Sequence, residues 1–267
     1  MKLHKIGFIG TGNIATAILN GIVSSGYIKP ECIMVYDANK EKTDFFSDMG
    51  CIVSSCSSDL VKNCEYVFLT VKPQIYPIVL DEIKDFTDGS CFIDVAAGIS
   101  IDTVKSYLGS STPVIRVMPN TPLLVGLGST ALVKQAPVTD EQFDFIKGCF
   151  DSCGITTLVN EEDINTVIAV SGSSPAYIMR FANAIIKYGV SNGLDADEAK
   201  SFVVQTLAGC AKLITQSNKD IDELIANVTS PNGTTACGLK SLDDNSFENI
   251  IKQCLDKTVE RAKELSK

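Results

Sequence analysis

The chain has 267 residues, 45% of them hydrophobic and 21% charged, a globular balance whose length suits one large domain or two ordinary ones. Its net charge of -9 divides evenly, with 12 basic and 17 acidic side chains in residues 1–160 and 11 and 15 in the rest, so neither half is a polybasic nucleic-acid surface. A single histidine, His4, excludes a metal site or catalytic relay that needs two imidazoles.

In chain order, short apolar runs alternate with amphipathic stretches up to about residue 160. Strands are predicted at Lys5–Ile9, Ile33–Tyr36, Tyr66–Val71, Cys91–Asp94, Pro113–Met118, Ser129–Lys134 and Ile155–Val159. Helical spacing falls between them at Asn13–Ser25, Lys40–Met49, Ser58–Asn63, Ile75–Ile83, Ile101–Leu108 and Asp140–Cys153. Strands that alternate with helices imply a parallel sheet covered on both faces. After Asn160 only helical patterns remain, at 161–192, 196–217, 219–227, 234–242 and 246–265, the first opened by the acids Glu161, Glu162 and Asp163. Pro175 should break or kink the first of them near Ser173 and Ser174. The expected fold is an α/β dinucleotide-binding domain of the Rossmann type over residues 1–162, followed by an all-α domain over 163–267. Apolar stripes such as Tyr177, Ile178, Phe181, Ala184, Ile185 and Tyr188 call for a partner surface, and a homodimer is expected.

The first strand runs through Ile9 into Gly10-Thr11-Gly12-Asn13-Ile14-Ala15, a G-x-G-x-x-A fingerprint between strand and helix. Gly10 allows the tight turn, Gly12 lets the backbone approach a pyrophosphate, and Ala15 lets the helix pack on the strand. The helix start then offers N–H groups to the phosphates. Asp37 follows the second strand, 25 residues beyond Gly12, where a carboxylate accepts from ribose hydroxyls and repels a 2′-phosphate. The cofactor is therefore NADH or NADPH, with Asp37 leaning toward NADH; a helix-capping role for Asp37 is compatible with this. Later strand ends carry Val71-Lys72-Pro73 and Ala96-Ala97-Gly98, which border the same edge of such a sheet.

The ten cysteines contain no Cys-x-x-Cys; the nearest pairs are Cys51/Cys56 and Cys149/Cys153. Most, including Cys91 and Cys210, sit in apolar contexts and read as small buried hydrophobes in a reducing compartment. No apolar run approaches the roughly 20 residues that cross a bilayer, and the start is too short and glycine-rich for a signal peptide. A cytoplasmic protein with no membrane or nucleic-acid partner is expected.

Five motifs in register carry a resemblance: Gly7–Ala15, Val71–Pro73, Arg116-Val117-Met118-Pro119-Asn120-Thr121-Pro122, Ser171–Tyr177 and Val228–Thr235. Together they are similar to the pyrroline-5-carboxylate reductases across nearly the whole chain. The resemblance implies NAD(P)H-dependent reduction of 1-pyrroline-5-carboxylate to L-proline, a helical C-terminal dimerisation domain, and higher oligomers of dimers in some members. It implies that Pro119, Asn120 and, nearby, Ser57 and Asn227 belong to the cofactor site. It also implies that the Thr235 hydroxyl lies near the ring nitrogen, Ser230 braces the loop, and Glu161 lies near the substrate. The amides of Gly233, Thr234 and Thr235 at a helix start suit a carboxylate. Ser174 and Asn232 depart from the commoner glycines; asparagine tolerates the left-handed backbone such a turn needs.

Two rivals remain. A β-hydroxyacid dehydrogenase would need a lysine within Ser171–Arg180, which has none; Lys212 lies in a Gly-x-x-Lys pattern but is followed by Thr215 where asparagine is usual. A nucleotide-binding redox sensor without turnover would keep the same phosphate loop.

Overall fold

The computed structural model describes Lys2 and residues 4–265; Met1, Leu3, Ser266 and Lys267, within the two expected domain ranges, lie outside the described residues. The first elements are β1 (His4–Ile9), α1 (Asn13–Ser24), β2 (Ile33–Tyr36), α2 (Asp44–Asp48), β3 (Ile52–Val53), α3 (Ser57–Asn63), β4 (Cys64–Leu69) and α4 (Tyr76–Ile83). Next come β5 (Cys91–Asp94), α5 (Ile101–Leu108), β6 (Val114–Met118), β7 (Gly128–Lys134), α6 (Asp140–Asp151) and β8 (Gly154–Leu158). The remainder is helical: α7 (Ile164–Val167), α8 (Ser174–Ser191), α9 (Ala196–Gln216), α10 (Ile221–Asn227), α11 (Thr234–Asp244) and α12 (Phe247–Leu265).

The strands form one sheet in the order β3-β2-β1-β4-β5-β6-β7-β8. Alternate residues feed two cores, because successive strand side chains point to opposite faces. Tyr66 and Phe68 of β4 join α1 and α6, through Ile18, Leu19, Ile146 and Phe150. Val67 and Leu69 of the same strand join α3, α4 and α5, through Leu60, Leu80 and Val104. Helix α1 reaches its core with Ala15, Ile18, Leu19 and Ile22, one stripe at 3.6-residue spacing. Local signals fix the helix starts: Ser100 caps α5 by accepting from Thr103 N–H, and Thr139 and Gln142 form a reciprocal capping box on α6.

Three features depart from the sequence reading. The sheet is not parallel throughout: β7 runs antiparallel to β6, and β8 is parallel to β7. Between Met118 and Gly128 the chain holds only a 3-10 turn, Thr121–Val125, too little for the crossover a parallel neighbour requires. The two-residue β3 pairs with β2 at one edge and is too short to show a periodicity. At the other edge β8 is only partly covered, with Ile155 67% and Leu158 62% exposed.

Strands end at Leu158, but the packing divides later. One compact unit runs to Ser173 and takes back the chain from Thr258; the other is Ser174–Lys257. The cause is burial of Ile164, Ile168 and Ala262 in the same core as β4 and β5, which moves the division past the expected 162/163 boundary. The helical stretch predicted from 161, with a break or kink near Ser173 and Ser174, is divided into a 3-10 turn (Glu161–Asp163), α7, a π-helical turn (Ile168–Gly172) and α8. Pro175 has no N–H for the Ser171 carbonyl four residues back, so the regular ladder fails at this point. In the second unit α8 and α9 pack where Ala182 and Ala199 are buried, while Tyr188 is 71% and Phe202 65% exposed.

Among the described residues no two cysteines form a disulfide. Cys51, Cys64, Cys91, Cys149 and Cys153 are buried, but Cys210 and Cys237 are exposed, because they lie on helices of the second unit whose outer faces nothing in that unit covers. Cys153 has a packing role: a methyl added at Gly21 of α1 would sit 2.0 Å from its Sγ. Gly21→Ala should therefore lower the unfolding free energy by about 1–3 kcal/mol through overpacking. Adding Cys153→Ala should restore part of that in urea denaturation; a double variant no more stable than Gly21→Ala would refute the contact.

Candidate active site

The carboxyl ends of β1, β2 and β4 meet where the strand order reverses, the position at which open α/β sheets bind ligands. Gly10 has φ +96°, and a Cβ there would lie 2.9 Å from the Thr70 backbone, so only glycine fits this turn. Thr70, just past β4, holds the turn, its one hydroxyl proton shared between the carbonyls of Gly10 (2.6 Å) and Ile9 (3.0 Å). At Gly12 a Cβ would meet nothing within 4 Å, so the bare backbone faces open space. Gly12 is also the N-cap of α1 and supplies no side-chain acceptor, which leaves first-turn N–H groups for an anion. The residues therefore fit the diphosphate of a dinucleotide.

Beside this turn lies a cavity of about 350 Å³. Ile9, Gly10, Gly12, Asp37, Val71 and Lys72 line it together with Tyr36, Lys42 and Glu82. Asp37 Oδ2 accepts from Thr11 N–H (2.9 Å) and from the Thr11 hydroxyl (3.1 Å), and Oδ1 accepts from Asn39 N–H (2.9 Å). Partial burial opposes its charge, but these bonds and the nearby Lys42 ammonium outweigh it and hold the carboxyl below its ordinary range. Asp37 thus latches the glycine turn to the end of β2 while presenting a negative charge to the cavity.

Other expected cofactor residues stand around this edge without lining the cavity. Asn13 is exposed at the start of α1, and Ile14 packs on the core. Pro73 opens a 3-10 turn. Ser57 is buried, its hydroxyl donating to Glu82 at 2.9 Å. Ala97 is half-buried in the loop after β5, and Pro119 is buried after β6. Asn120 is a strut. Its Oδ1 accepts from Ser129 N–H at 2.9 Å, and its Nδ2 donates to the Ser171 hydroxyl (3.2 Å) and carbonyl (3.4 Å). That carbonyl is the one Pro175 cannot serve.

Glu161 is a knot. Oε1 accepts from Ile101 N–H at 2.8 Å and from Arg116 Nη1 at 3.1 Å, and Oε2 accepts from Gln135 Nε2 at 2.8 Å. The carboxylate expected near the substrate therefore spends both oxygens on protein donors from three segments. Arg116 carries one signal beyond its motif: it is a cation inside a strand whose five residues are all buried.

The substrate-loop residues belong to the second unit. Asn227 ends α10 and is exposed. Asn232 has φ 60°, the left-handed conformation for which asparagine is suited. The helix cap is Gly233, which has no side-chain acceptor. One detail corrects the expected geometry. The Gly233 N–H is spent on the Ser230 carbonyl at 3.0 Å, because the chain makes a turn before the helix. Thr234 and Thr235 occupy the first turn of α11, whose amides find no carbonyl within the helix. A side chain at 233 would lie 2.3 Å from Ser230 Oγ, so Ser230 sits directly over the glycine.

Among the described residues no group of His, Cys, Asp and Glu could hold a metal ion, and no helix is long and apolar enough to cross a membrane. The first unit defines a nicotinamide-dinucleotide-dependent oxidoreductase of the Rossmann type. Residues 5–98 match the family described as NADP oxidoreductase coenzyme F420-dependent, and residues 161–265 match the family described as pyrroline-5-carboxylate reductase dimerisation. The chain is 33% identical to pyrroline-5-carboxylate reductase 2 of Bacillus subtilis over 98% of its length and 95% of the relative's. It is 36% identical to pyrroline-5-carboxylate reductase of Haemophilus influenzae over 98% of each. The crystal structure of Plasmodium falciparum pyrroline carboxylate reductase with NADP bound superposes with a TM-score of 0.92 at 32% identity, covering 100% of both chains. The chain belongs to the pyrroline-5-carboxylate reductase family.

The Glu161 knot yields a stability test. Glu161→Ala leaves the Arg116 guanidinium, 6% exposed, without its carboxylate, and should cost about 3 kcal/mol. Pairing it with Arg116→Met should recover much of that loss in urea unfolding; a single-variant cost below about 1 kcal/mol would show that the pair holds little.

Proposed function

We propose that the chain reduces 1-pyrroline-5-carboxylate to L-proline with NAD(P)H, the last step of proline biosynthesis. The observation that carries this is likeness to named reductases over the full length, at 33% and 36% identity, with both the dinucleotide turn and the threonine pair in place. The cofactor, when bound, supplies the hydride that reduces the C=N carbon.

In this reading the α1 amides and the bare Gly12 backbone hold the diphosphate, and Asp37 meets the adenosine ribose. Lys72, Ala97, Pro119 and Asn120 border the rest of the cofactor. The Thr234 and Thr235 amides hold the substrate carboxylate at the positive start of α11. The Thr235 hydroxyl meets the ring nitrogen, and Ser230 braces the turn. Glu161 acts through Arg116 and the start of α5 rather than by touching substrate. The rate then comes from orientation and electrostatics more than from proton transfer by side chains.

Homodimerisation through the C-terminal helices is part of the proposal, with higher oligomers built from dimers. It is supported by the match to a dimerisation family and by the exposed Phe181, Tyr188 and Phe202. Ten cysteines with no disulfide among them suit a reducing compartment such as the cytoplasm.

Removing the Thr235 hydroxyl should cost a hydrogen bond of about 1.5–3 kcal/mol, a ten- to hundred-fold fall in kcat/KM. An unchanged value for Thr235→Ala removes the role. Paired assays with NADH and NADPH separate an enzyme from a sensor, which would bind cofactor without substrate-dependent oxidation. The charge held on Asp37 predicts preference for NADH and a shift toward NADPH in Asp37→Ser; strong native preference for NADPH contradicts it.

A further inference from the structure

Asp94 ends β5, a strand that is otherwise Cys-Phe-Ile, and it is 0% exposed. Its strand partners are Leu69 of β4 and Arg116 of β6, so Asp94 and Arg116 emerge side by side on one face. They nevertheless do not pair. Arg116 gives Nη1 to Glu161, and its Nε, like Asp94 Oδ2, is buried without a partner. One buried cation faces two carboxyl groups, and Glu161 holds it with two further donors.

Asp94 Oδ1 instead lies 2.6 Å from the Tyr76 hydroxyl and accepts from Ala96 N–H at 3.0 Å. The Tyr76 hydroxyl is also 2.8 Å from the Leu69 carbonyl. A phenol has one proton, and here two acceptors stand within reach of it. A proton on Asp94 resolves the conflict: the acid donates to Tyr76 Oη, and Tyr76 donates to Leu69. Burial, reinforced by the Glu161 charge, pushes the Asp94 carboxyl up to about 7 against the pull of Tyr76, Ala96 and Arg116. Burial first, then Asp94, holds the Tyr76 phenol far above its ordinary range, so it stays protonated.

The consequence lies in the loop between β5 and α5. Asp94 pins its start through Ala96 N–H, and Glu161 pins its end through Ile101 N–H. Between them Gly98 has φ +86°, and a Cβ there would lie 2.6 Å from the Leu265 carbonyl, so the loop has little room. The two carboxyls that pin the loop stand beside the same guanidinium.

We propose that Asp94 is a proton-bearing positioning residue: as the acid it leaves Arg116 to Glu161 and keeps the Ala96–Gly98 loop set for the nicotinamide, and its ionisation draws Arg116 away and loosens the loop. The charged and titratable groups that face it are Tyr76 from α4, Arg116 from β6 and Glu161 from the turn after β8. The catalytic part rests on the reductase reading, in which Ala97 borders the nicotinamide; the proton itself does not.

The test has two arms. Infrared difference spectra of the cofactor-free protein, taken from about pH 5 to pH 9, should show a protonated-carboxyl C=O band that vanishes with a midpoint near 7 and is missing from Asp94→Asn. Over the same range kcat/KM should fall through one ionisation near pH 7, and the Kd for NADPH should rise with it. Asp94→Asn, whatever its absolute rate, should lack that inflection, and Tyr76→Phe should displace it. The substrate imine titrates too, but equally for every variant, so the comparison isolates the enzyme group. Absence of the Asp94 band overturns the proton. A band with unaltered pH profiles and Kd in both variants overturns the positioning role. Lack of any turnover, with the band and the NADPH dependence present, faults the reductase reading instead.

Discussion

The Arg116–Glu161 contact joins the parts of the first unit that the sheet alone would leave separate. Arg116 lies in β6, the last strand of the parallel run, and Glu161 lies past β8, after the strand direction has reversed at β7. Burying a guanidinium costs several kcal/mol unless a carboxylate compensates it. The chain after β8 therefore has to return over the sheet, and once there it delivers Ile164 and Ile168 to the core. Gln135 after β7 and Ile101 at the start of α5 are drawn to the same carboxylate. A buried ion pair of this kind contributes little net stability over an apolar replacement, but it permits one arrangement of four segments.

The cofactor edge is built on a different constraint, the lack of space at Gly10. Because the turn passes against the Thr70 backbone, its path is fixed before any ligand arrives. Thr70 and Asp37 then hold it from the strands on either side, and the open space over Gly12 is what remains for a diphosphate. Orientation of this kind is the larger part of what a hydride-transfer enzyme must supply, since the redox chemistry belongs to the cofactor. The single histidine agrees with that division of labour.

Much of this was legible in the sequence, and the failures share a cause. The fingerprint from Ile9 to Ala15, and the strands of β1, β2, β4, β5 and β6, could be read because their signals are local: apolar runs, a glycine spacing, helix caps. The reversal of β7 could not, because direction depends on how far the Thr121–Val125 turn can carry the chain. The break at Ile168–Gly172 was foreseen only as an effect of Pro175; the π-helical turn that absorbs it, closed by Ser173 N–H on the Ile168 carbonyl, leaves no local spacing to read. The spent amide of Gly233 follows from a turn that forms one bond before the helix begins. Asp94 went unread because an acid at a strand end ordinarily faces water.

Asp37 and Asp94 make that last point physical. Both stand at carboxyl ends of parallel strands, and burial opposes the charge of both. Asp37 has three donors from Thr11 and Asn39, a neighbouring lysine and an open cavity before it, so the bonds win and the charge stays. Asp94 is sealed in, one of its oxygens has no partner, and the guanidinium beside it is committed to Glu161, so burial wins and pushes its carboxyl up to about 7. The fold thus shifts two identical side chains in opposite directions along one edge of the sheet. A held charge suits contact with ribose hydroxyls. A carboxyl pushed toward its acid form suits a group that must fix a loop without competing for the buried Arg116. Environment, not residue type, separates the two roles.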